Sequence, residues 1–175
     1  MTSNRFPVIS FVGRSNSGKT TLIEKLIPLL RQRGYRVGVI KHTLRQDVET
    51  DIPGTDTRRL WDAGADHVAF VTPDRLVHTR RCVTPPTLEM ALAGVTDVDL
   101  VIAEGFKHGE FPKIEVTRAA RDPHLIPDVE NRIACVTDVP DLASDLPHFG
   151  LDDVIALADF IENSLLEQTP STAGG

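Results

Sequence analysis

Cysteine is scarce in this sequence, and basic residues are outnumbered by acidic ones, 19 against 25. The only cysteines are Cys82 and Cys135. They are far apart and have no CxxC or Cys/His spacing, which favours free thiols in a reducing compartment over a disulfide or a zinc site. The formal net charge of −6 argues against a nucleic-acid-binding protein. It leaves room for an anionic ligand, because one pocket can be positive within an acidic protein.

Long hydrophobic runs are also missing. No stretch is long enough and apolar enough to span a bilayer, and the short polar N-terminus lacks the layout of a signal peptide. These absences favour a cytoplasmic protein that acts away from membranes. The length of 175 residues suits one domain, and we expect a single domain over residues 1–168. The small and polar residues at 169–175 predict a disordered tail.

A complete P-loop motif is the strongest feature that the sequence does contain. Residues 13–20 read Gly-Arg-Ser-Asn-Ser-Gly-Lys-Thr and match G-x-x-x-x-G-K-[ST] at every fixed position. Glycines let the backbone wrap around a phosphate, and loop N–H groups attract its charge. We predict that Lys19 contacts the β- and γ-phosphates and acts in catalysis, and that Thr20 binds Mg²⁺. The residues assigned to nucleotide binding in this segment are Gly13, Arg14, Ser15, Asn16, Ser17, Gly18, Lys19, Thr20 and Thr21.

Alternating strand and helix patterns surround this loop. A turn signal at Pro73 and Asp74 separates two β-rich runs, which predicts an antiparallel hairpin. We therefore expect an α/β fold of the P-loop NTPase class, with a mostly parallel doubly wound sheet, helices on both faces and the hairpin at an edge. The expected strands are residues 6–12, 35–41, 67–72, 75–80, 98–103, 113–117 and 132–137, and the expected helices are residues 17–33, 56–63, 85–93 and 152–166.

A carboxylate on a neighbouring strand is needed to hold Mg²⁺ beside a P-loop. Asp99 and Glu104 bracket the apolar strand at residues 98–103. Ligands of doubly wound sheets lie outside the carboxyl ends of the strands. This rule favours Glu104 as a metal ligand and catalytic residue, and it leaves Asp99 as a solvated or capping residue. Asp56 is next in line as a metal ligand, although an Asp at that position could equally cap the following helix.

Two further pairs of residues end strands at the same edge. Lys41 and His42 follow the second strand, where they either contact the nucleotide or form a solvated strand end. Thr137 and Asp138 follow the last strand. The Asn-Lys-x-Asp motif by which Ras-type GTPases read guanine is absent, and Asp138 is its best substitute because one carboxylate can accept from guanine N1–H and N2–H. An Asp at a strand end also often starts a turn, so both interpretations stay open.

Several segments carry a more specific signal than the P-loop, which many NTPases share. The most discriminating elements are Lys-His-Thr at residues 41–43 and Glu-Gly-Phe-Lys at residues 104–107. The full set of segments is residues 12–22, 38–43, 51–58, 63–65, 101–107 and 112–116. In this order they resemble the MobB family, the molybdopterin-guanine dinucleotide biosynthesis adapter proteins. The chain departs from the family at residues 44–46, Leu-Arg-Gln, where members often carry histidine or acidic residues.

The resemblance implies a homodimeric protein that binds GTP and hydrolyses it weakly, with the Mg²⁺ that the P-loop predicts. It also implies a partner, a molybdenum cofactor guanylyltransferase that joins GMP to molybdopterin, and leaves open whether molybdopterin itself binds. Two other classes share the scaffold. A small-molecule kinase usually needs an arginine-rich lid, and the sequence shows no separate lid segment, although Arg80 and Arg81 could serve. A nickel-type metal-insertion GTPase needs a Cys or His cluster, which the sequence does not contain.

Overall fold

The structure of the chain is a computed structural model. It describes residues 6–45, 48–142 and 145–166. The tail that was expected at residues 169–175 lies outside these described residues. None of the described helices is both long enough and apolar enough to cross a membrane.

The contacts of the described residues divide into two compact units. The first contains the residues up to Thr43 and those from Leu88 onward, and the second is Leu44–Thr87. The single domain expected over residues 1–168 stays a prediction. The elements in chain order are β1 (Val8–Val12), α1 (Lys19–Gln32), β2 (Val37–Lys41), α2 (Asp56–Asp62), β3 (His67–Val71), β4 (Leu76–Arg80), α3 (Leu88–Leu92), β5 (Leu100–Glu104), β6 (Lys113–Thr117), β7 (Arg132–Thr137), β8 (His148–Phe149), α4 (Val154–Ile161) and a π-helical turn (Glu162–Leu166).

The first unit is built on a six-stranded sheet with the strand order β2-β5-β1-β6-β7-β8. Every adjacent pair of these strands is parallel. All residues of β1, β5 and β6 are buried, as expected for parallel strands that are covered on both faces. β1 lies between β5 and β6, so the loop after β1 has the carboxyl ends of both neighbours beside it. Ligands of open α/β sheets bind at this edge.

Helices cover both faces of the sheet because successive strand residues point in opposite directions. On one face, Ile9 and Phe11 of β1 belong to a buried cluster that includes residues of α1 and α4. On the other face, Val8 packs in a second cluster with Leu88 and Leu92 of α3. Burial of each such side chain contributes roughly 1.5–3 kcal/mol. The structure thus confirms the doubly wound, mostly parallel α/β arrangement.

The second unit contains α2 and the antiparallel pair of β3 and β4. The register places His67 opposite Arg80, so the predicted hairpin is confirmed. Its strands form a two-stranded sheet of their own rather than an edge of the six-stranded sheet. A hairpin pattern in the sequence depends on local pairing only, and it carries no information about which other strands lie alongside.

Some element boundaries differ from the expectations. β5 is shifted toward its carboxyl end and includes Glu104. β8 is a strand of two residues that the sequence does not predict, because so short a segment has no periodic pattern. The last helix was expected over residues 152–166, but its α-helical part ends at Ile161 and a π-helical turn follows.

Candidate functional site

The P-loop joins β1 to α1 at the carboxyl edge of the sheet. Gly13 (φ 153°) and Gly18 (φ 96°) have backbone conformations that favour glycine, and Asn16 (φ 62°) has the left-handed conformation that Asn tolerates. A Cβ on Gly13 would collide with the carbonyl oxygen of Val116 and lie 2.8 Å from Ser17 Oγ. The loop therefore requires glycine where the motif has it. This strand–loop–helix arrangement is that of a P-loop NTPase.

Lys19 begins α1, and its side chain folds back over the loop. Its Nζ donates to the carbonyl oxygens of Arg14 at 2.8 Å and Gly13 at 3.1 Å, and it lies 3.5 Å from Ser17 Oγ. The ammonium group is thus held against the loop. A phosphate in the same place offers it charged acceptors, which bind more strongly than carbonyl groups.

The electrostatic environment of Lys19 is mixed. Burial lowers the pKa of its ammonium most, and the Glu104 carboxylate acts in the opposite direction. The positive charges of Lys107 and Lys41 lower this pKa further. The sequence patterns did not predict a role for Lys107. Its position in the Glu-Gly-Phe-Lys element at the end of β5 is a signal from which such a role could have been predicted. Three cations near one carboxylate make this edge suited to a polyanion.

Thr20, Glu104 and Lys41 form a polar cluster beside the P-loop. The Thr20 hydroxyl donates to the Glu104 carboxylate, with its oxygen 2.9 Å from Oε1 and 3.0 Å from Oε2. Lys41 Nζ donates to Thr20 Oγ1 at 3.1 Å and lies 3.2 Å from Glu104 Oε2. Glu104 is only 9% exposed, so these contacts stabilise a carboxylate that has lost most of its water. The fold brings the predicted metal-binding pair, Thr20 and Glu104, into direct contact.

The other two carboxylates considered as metal ligands have different surroundings. Asp99 precedes β5 and accepts from Arg36 Nη2 at 2.8 Å and Nε at 3.1 Å. These hydrogen bonds lower the pKa of Asp99, as expected for a carboxylate with a structural role. Asp56 is the first residue of α2 in the second unit, where it lies 3.3 Å from Arg59 Nη1. Thr55, not Asp56, caps that helix, and the metal assignment of Asp56 stays a prediction.

His42 packs against the loop that follows β5. Its backbone N–H donates to the backbone carbonyl oxygen of Glu104 at 2.9 Å, and its ring centroid lies 4.6 Å from that of Phe106. Gly105 has a φ of 102°, and a Cβ there would approach His42 Cβ to 3.1 Å. His42 is therefore a packing partner of the Glu104 loop, and its predicted nucleotide contact stays a prediction.

Thr137 and Asp138 lie at the end of β7. Thr137 Oγ1 accepts from the Val139 N–H at 3.0 Å, and Asp138 Oδ1 accepts from the Ala119 N–H at 2.6 Å. Asp138 is exposed, so the hydrogen bond orients its carboxylate at the carboxyl edge and leaves it open to solvent.

The loop between β6 and β7 borders the P-loop. Arg14 Nε and Asp122 Oδ2 form an ion pair between the two loops. This loop is anchored to β6, where the fully buried Glu115 accepts from the Ile126 N–H of the loop at 2.7 Å and from Arg132 Nε at 2.8 Å. Buried charges need such partners. Sequence patterns missed this anchor, because nothing local indicates that Glu115 and Arg132 meet across neighbouring strands.

The remaining predicted residues of the P-loop segment differ in exposure. Ser15, Asn16 and Thr21 are exposed, whereas Ser17 is buried. The structure brings all predicted site residues of the first unit to one edge of the sheet. They are residues 13–21, Lys41, His42, Glu104, Thr137 and Asp138.

Comparisons with known proteins match this architecture. The family model of MobB, described as Molybdopterin guanine dinucleotide synthesis protein B, matches residues 8–138. The molybdopterin-guanine dinucleotide biosynthesis adapter protein of Escherichia coli (strain K12) is 37% identical over 168 residues, which cover 93% of this chain and 95% of the relative. The adapter protein of the same name from Haemophilus influenzae is 36% identical over 166 residues, covering 93% and 92%.

Solved structures give the same result. A crystal structure of molybdopterin-guanine biosynthesis protein B (mobB) matches with a TM-score of 0.73 and 31% identity, covering 90% of this chain and 99% of the other. The crystal structure of Bacillus subtilis MobB matches with a TM-score of 0.74 and 30% identity, covering 91% and 98%. Since the family match spans the P-loop, Glu104 and Asp138, and the identity extends along nearly the whole chain, this chain belongs to the MobB family.

Proposed function

We propose that this chain is a GTP-binding adapter that uses Mg²⁺, hydrolyses GTP weakly, and assists a nucleotidyltransferase in attaching GMP to molybdopterin. The observation that carries the nucleotide part is the contact between the Thr20 hydroxyl and the buried Glu104 carboxylate beside a complete P-loop. The names of the family and of its relatives in Escherichia coli and Haemophilus influenzae support the biosynthetic role.

Phosphate binding follows from the loop geometry. The positive φ values at Gly13, Asn16 and Gly18 give the loop the wrapped backbone in which successive N–H groups can converge on phosphate oxygens. Lys19 Nζ already lies against this loop. In our proposal it exchanges its two carbonyl acceptors for phosphate oxygens and offsets their negative charge.

The residues present fit a magnesium ion. Thr20 Oγ1 and the Glu104 carboxylate are hard oxygen donors about 3 Å apart, the ligand type that Mg²⁺ prefers together with phosphate oxygens and water. Thr20 and Glu104 would hold the ion. The assignment of Asp56 as a metal ligand is kept as a separate proposal. When bound, Mg²⁺ neutralises phosphate charge. The residues themselves orient the ion and the phosphate end of the ligand.

The surroundings of Glu104 also support weak hydrolysis. Its carboxylate is engaged by Thr20 Oγ1 and lies 3.2 Å from Lys41 Nζ. Both contacts occupy acceptor positions that a general base would need for activating water. Glu104 is therefore suited to holding a metal ion more than to proton abstraction, and we assign slow turnover to this site.

Guanine recognition is assigned to Asp138, with Thr137 beside it. Asp138 Oδ1 is held by the Ala119 N–H at 2.6 Å, and β7 is separated from the P-loop strand by β6 alone. A nucleotide whose phosphates lie in the P-loop would therefore extend its base toward β7. Guanine presents adjacent N1–H and N2–H₂ donors to such a carboxylate, whereas adenine has no equivalent pair on that edge.

The adapter role requires a partner. We propose that this partner is a molybdenum cofactor guanylyltransferase and that molybdopterin itself contacts this chain in the same complex. We also propose that the chain is homodimeric and cytoplasmic. Lys41 and His42 at the end of β2 are included among the proposed nucleotide-contacting residues.

Two measurements test the proposal. Calorimetric titration of the wild-type chain should give tighter binding of GTP than of ATP, with an affinity that falls when Mg²⁺ is removed. Equal affinities for GTP and ATP would refute the guanine assignment. A reconstituted reaction of guanylyltransferase, molybdopterin and Mg²⁺-GTP should yield more dinucleotide cofactor when this chain is added, and an unchanged yield would refute the adapter role.

A further inference from the structure

Arg118 lies just after the carboxyl end of β6, where the sequence predicts no site residue. It follows directly after β6, the strand between β1 and β7. Its guanidinium lies beside the P-loop, because a Cβ on Gly18 would be 3.9 Å from Arg118 Nη2 and 4.0 Å from Cζ. The next residue, Ala119, donates its N–H to Asp138 at 2.6 Å. Arg118 therefore stands between the phosphate-binding loop and the proposed base-reading carboxylate.

The guanidinium of Arg118 is available to a ligand. Among the described residues it makes no hydrogen bond and no salt bridge, and Arg118 is exposed. Its charge acts on the Asp152 carboxylate at longer range, but that carboxylate is bound to Lys25 Nζ at 2.8 Å. By contrast, Arg14 in the P-loop is paired with Asp122. An unpaired guanidinium beside the first turn of α1 adds positive charge where that helix already attracts anions.

We propose that Arg118 is a further nucleotide-binding residue that contacts the α-phosphate. This inference rests on the proposed function and adds one contact to the same site. A nucleotide that spans from the P-loop toward Asp138 must pass over the end of β6, and the part that joins its terminal phosphates to its base is the α-phosphate with the ribose. A planar guanidinium binds phosphate oxygens through paired N–H donors. Glu104 and Lys41, which lie on the other side of β1, are placed for the opposite end of the phosphate chain.

The test compares Arg118→Ala with Arg31→Ala by calorimetry with GTP and with GDP. Arg31 is an exposed residue in the last turn of α1, so its variant removes the same charge far from the P-loop. Because GTP and GDP share the α-phosphate, Arg118→Ala should weaken both by a similar factor of about ten, the usual scale of one charged hydrogen-bonding contact. Arg31→Ala should bind both nucleotides like the wild type.

The outcomes separate this inference from the proposed function. Affinities of Arg118→Ala within twofold of the wild type for both nucleotides would overturn the contact, and so would a loss for GTP alone, which would indicate the γ-phosphate instead. A wild-type chain that binds neither nucleotide would refute the proposed function itself. Circular dichroism and thermal melting of both variants should match the wild type, since both side chains are exposed.

Discussion

The two sides of the P-loop are built differently. On the β5 side, Glu104 is 9% exposed and meets Thr20 and Lys41 through side-chain contacts of 2.9–3.2 Å. On the β6–β7 side, Arg118 and Asp138 are exposed. There the Asp138 carboxylate is oriented by the backbone, because it accepts a hydrogen bond from the Ala119 N–H. The β5 side is thus centred on one buried carboxylate that exposed partners contact, whereas the β6–β7 side is an open polar surface.

This difference indicates which side of the P-loop is suited to metal and phosphate binding and which to base recognition. Charges interact more strongly when they are removed from water, so the β5 side is suited to hold the metal ion and the terminal phosphates. Exposed groups contribute less to affinity, but they can still discriminate between bases through a specific pattern of donors and acceptors. We therefore expect changes at the P-loop and the β5 side to affect all nucleotides, and changes at β7 to affect the choice among them.

The largest effect should come from Lys19→Ala, which removes the charge at the centre of the P-loop. We expect the affinity for GTP and ATP alike to fall by about a hundredfold or more, because a charge-assisted phosphate contact is lost. Fluorescent nucleotide titration measures this loss. Lys25→Ala, an exposed lysine on the same helix that pairs with Asp152, is the control and should bind normally. Unaltered binding by Lys19→Ala would remove the P-loop assignment.

A smaller and more selective effect is expected for Asp138→Asn on the β6–β7 side. The amide keeps an oxygen for the Ala119 N–H, so the fold should persist, but it replaces a charged acceptor for guanine by a neutral one. GTP affinity should fall by roughly ten- to a hundredfold, while ATP affinity serves as the internal control and stays unchanged. Binding of xanthosine triphosphate should improve, since its base has an acceptor where guanine has the N2 amino group. If the guanine preference persists in the variant, a different residue reads the base.

The smallest effect is expected for Asp122→Asn, which breaks the ion pair between the two loops. The backbone N–H of His124 is the main cause that lowers the pKa of Asp122, and the charge of Arg14 adds to it. A carboxyl group with a lowered pKa in the folded state contributes stability above its ordinary pKa of about 3.8, and this contribution is lost as the pH falls through the folded-state value. Thermal melting should therefore show a lower Tm for the variant at pH 7 and a smaller difference at pH 3. A difference that grows at pH 3 would contradict this sign.

The parts of the fold that the sequence predicts best are those with a local signal. The P-loop is found by its motif. The strands β1, β5 and β7 are found by their largely apolar runs, which parallel strands buried on both faces require. The separate sheet of β3 and β4 was not predictable, because alternation within a hairpin says nothing about its other neighbours. The two-residue β8 is too short for any periodicity.

The candidate site follows the same rule. Glu104 could be preferred over Asp99 because the apolar run that precedes it places it at the carboxyl end of a strand, where ligands bind. The contacts of Lys41 with Thr20, and of Glu115 with Arg132, depend on which strands lie side by side. Lys41 lies on β2, which pairs with β5 in the folded sheet although the two strands are far apart in the sequence. Such long-range pairings have no signature in a single sequence.

The most direct test of the site is the Mg²⁺ dependence of GTP binding in Glu104→Gln. The neutral amide is a poor ligand for Mg²⁺ but keeps the size of the side chain. We predict that the wild type binds GTP about tenfold or more tightly with Mg²⁺ than in its absence. Glu104→Gln should lose this gain and keep the metal-free affinity for GDP, and Asp99→Asn should behave like the wild type. A Glu104→Gln variant whose GTP affinity still responds fully to Mg²⁺ would contradict the assignment of the metal site to Thr20 and Glu104.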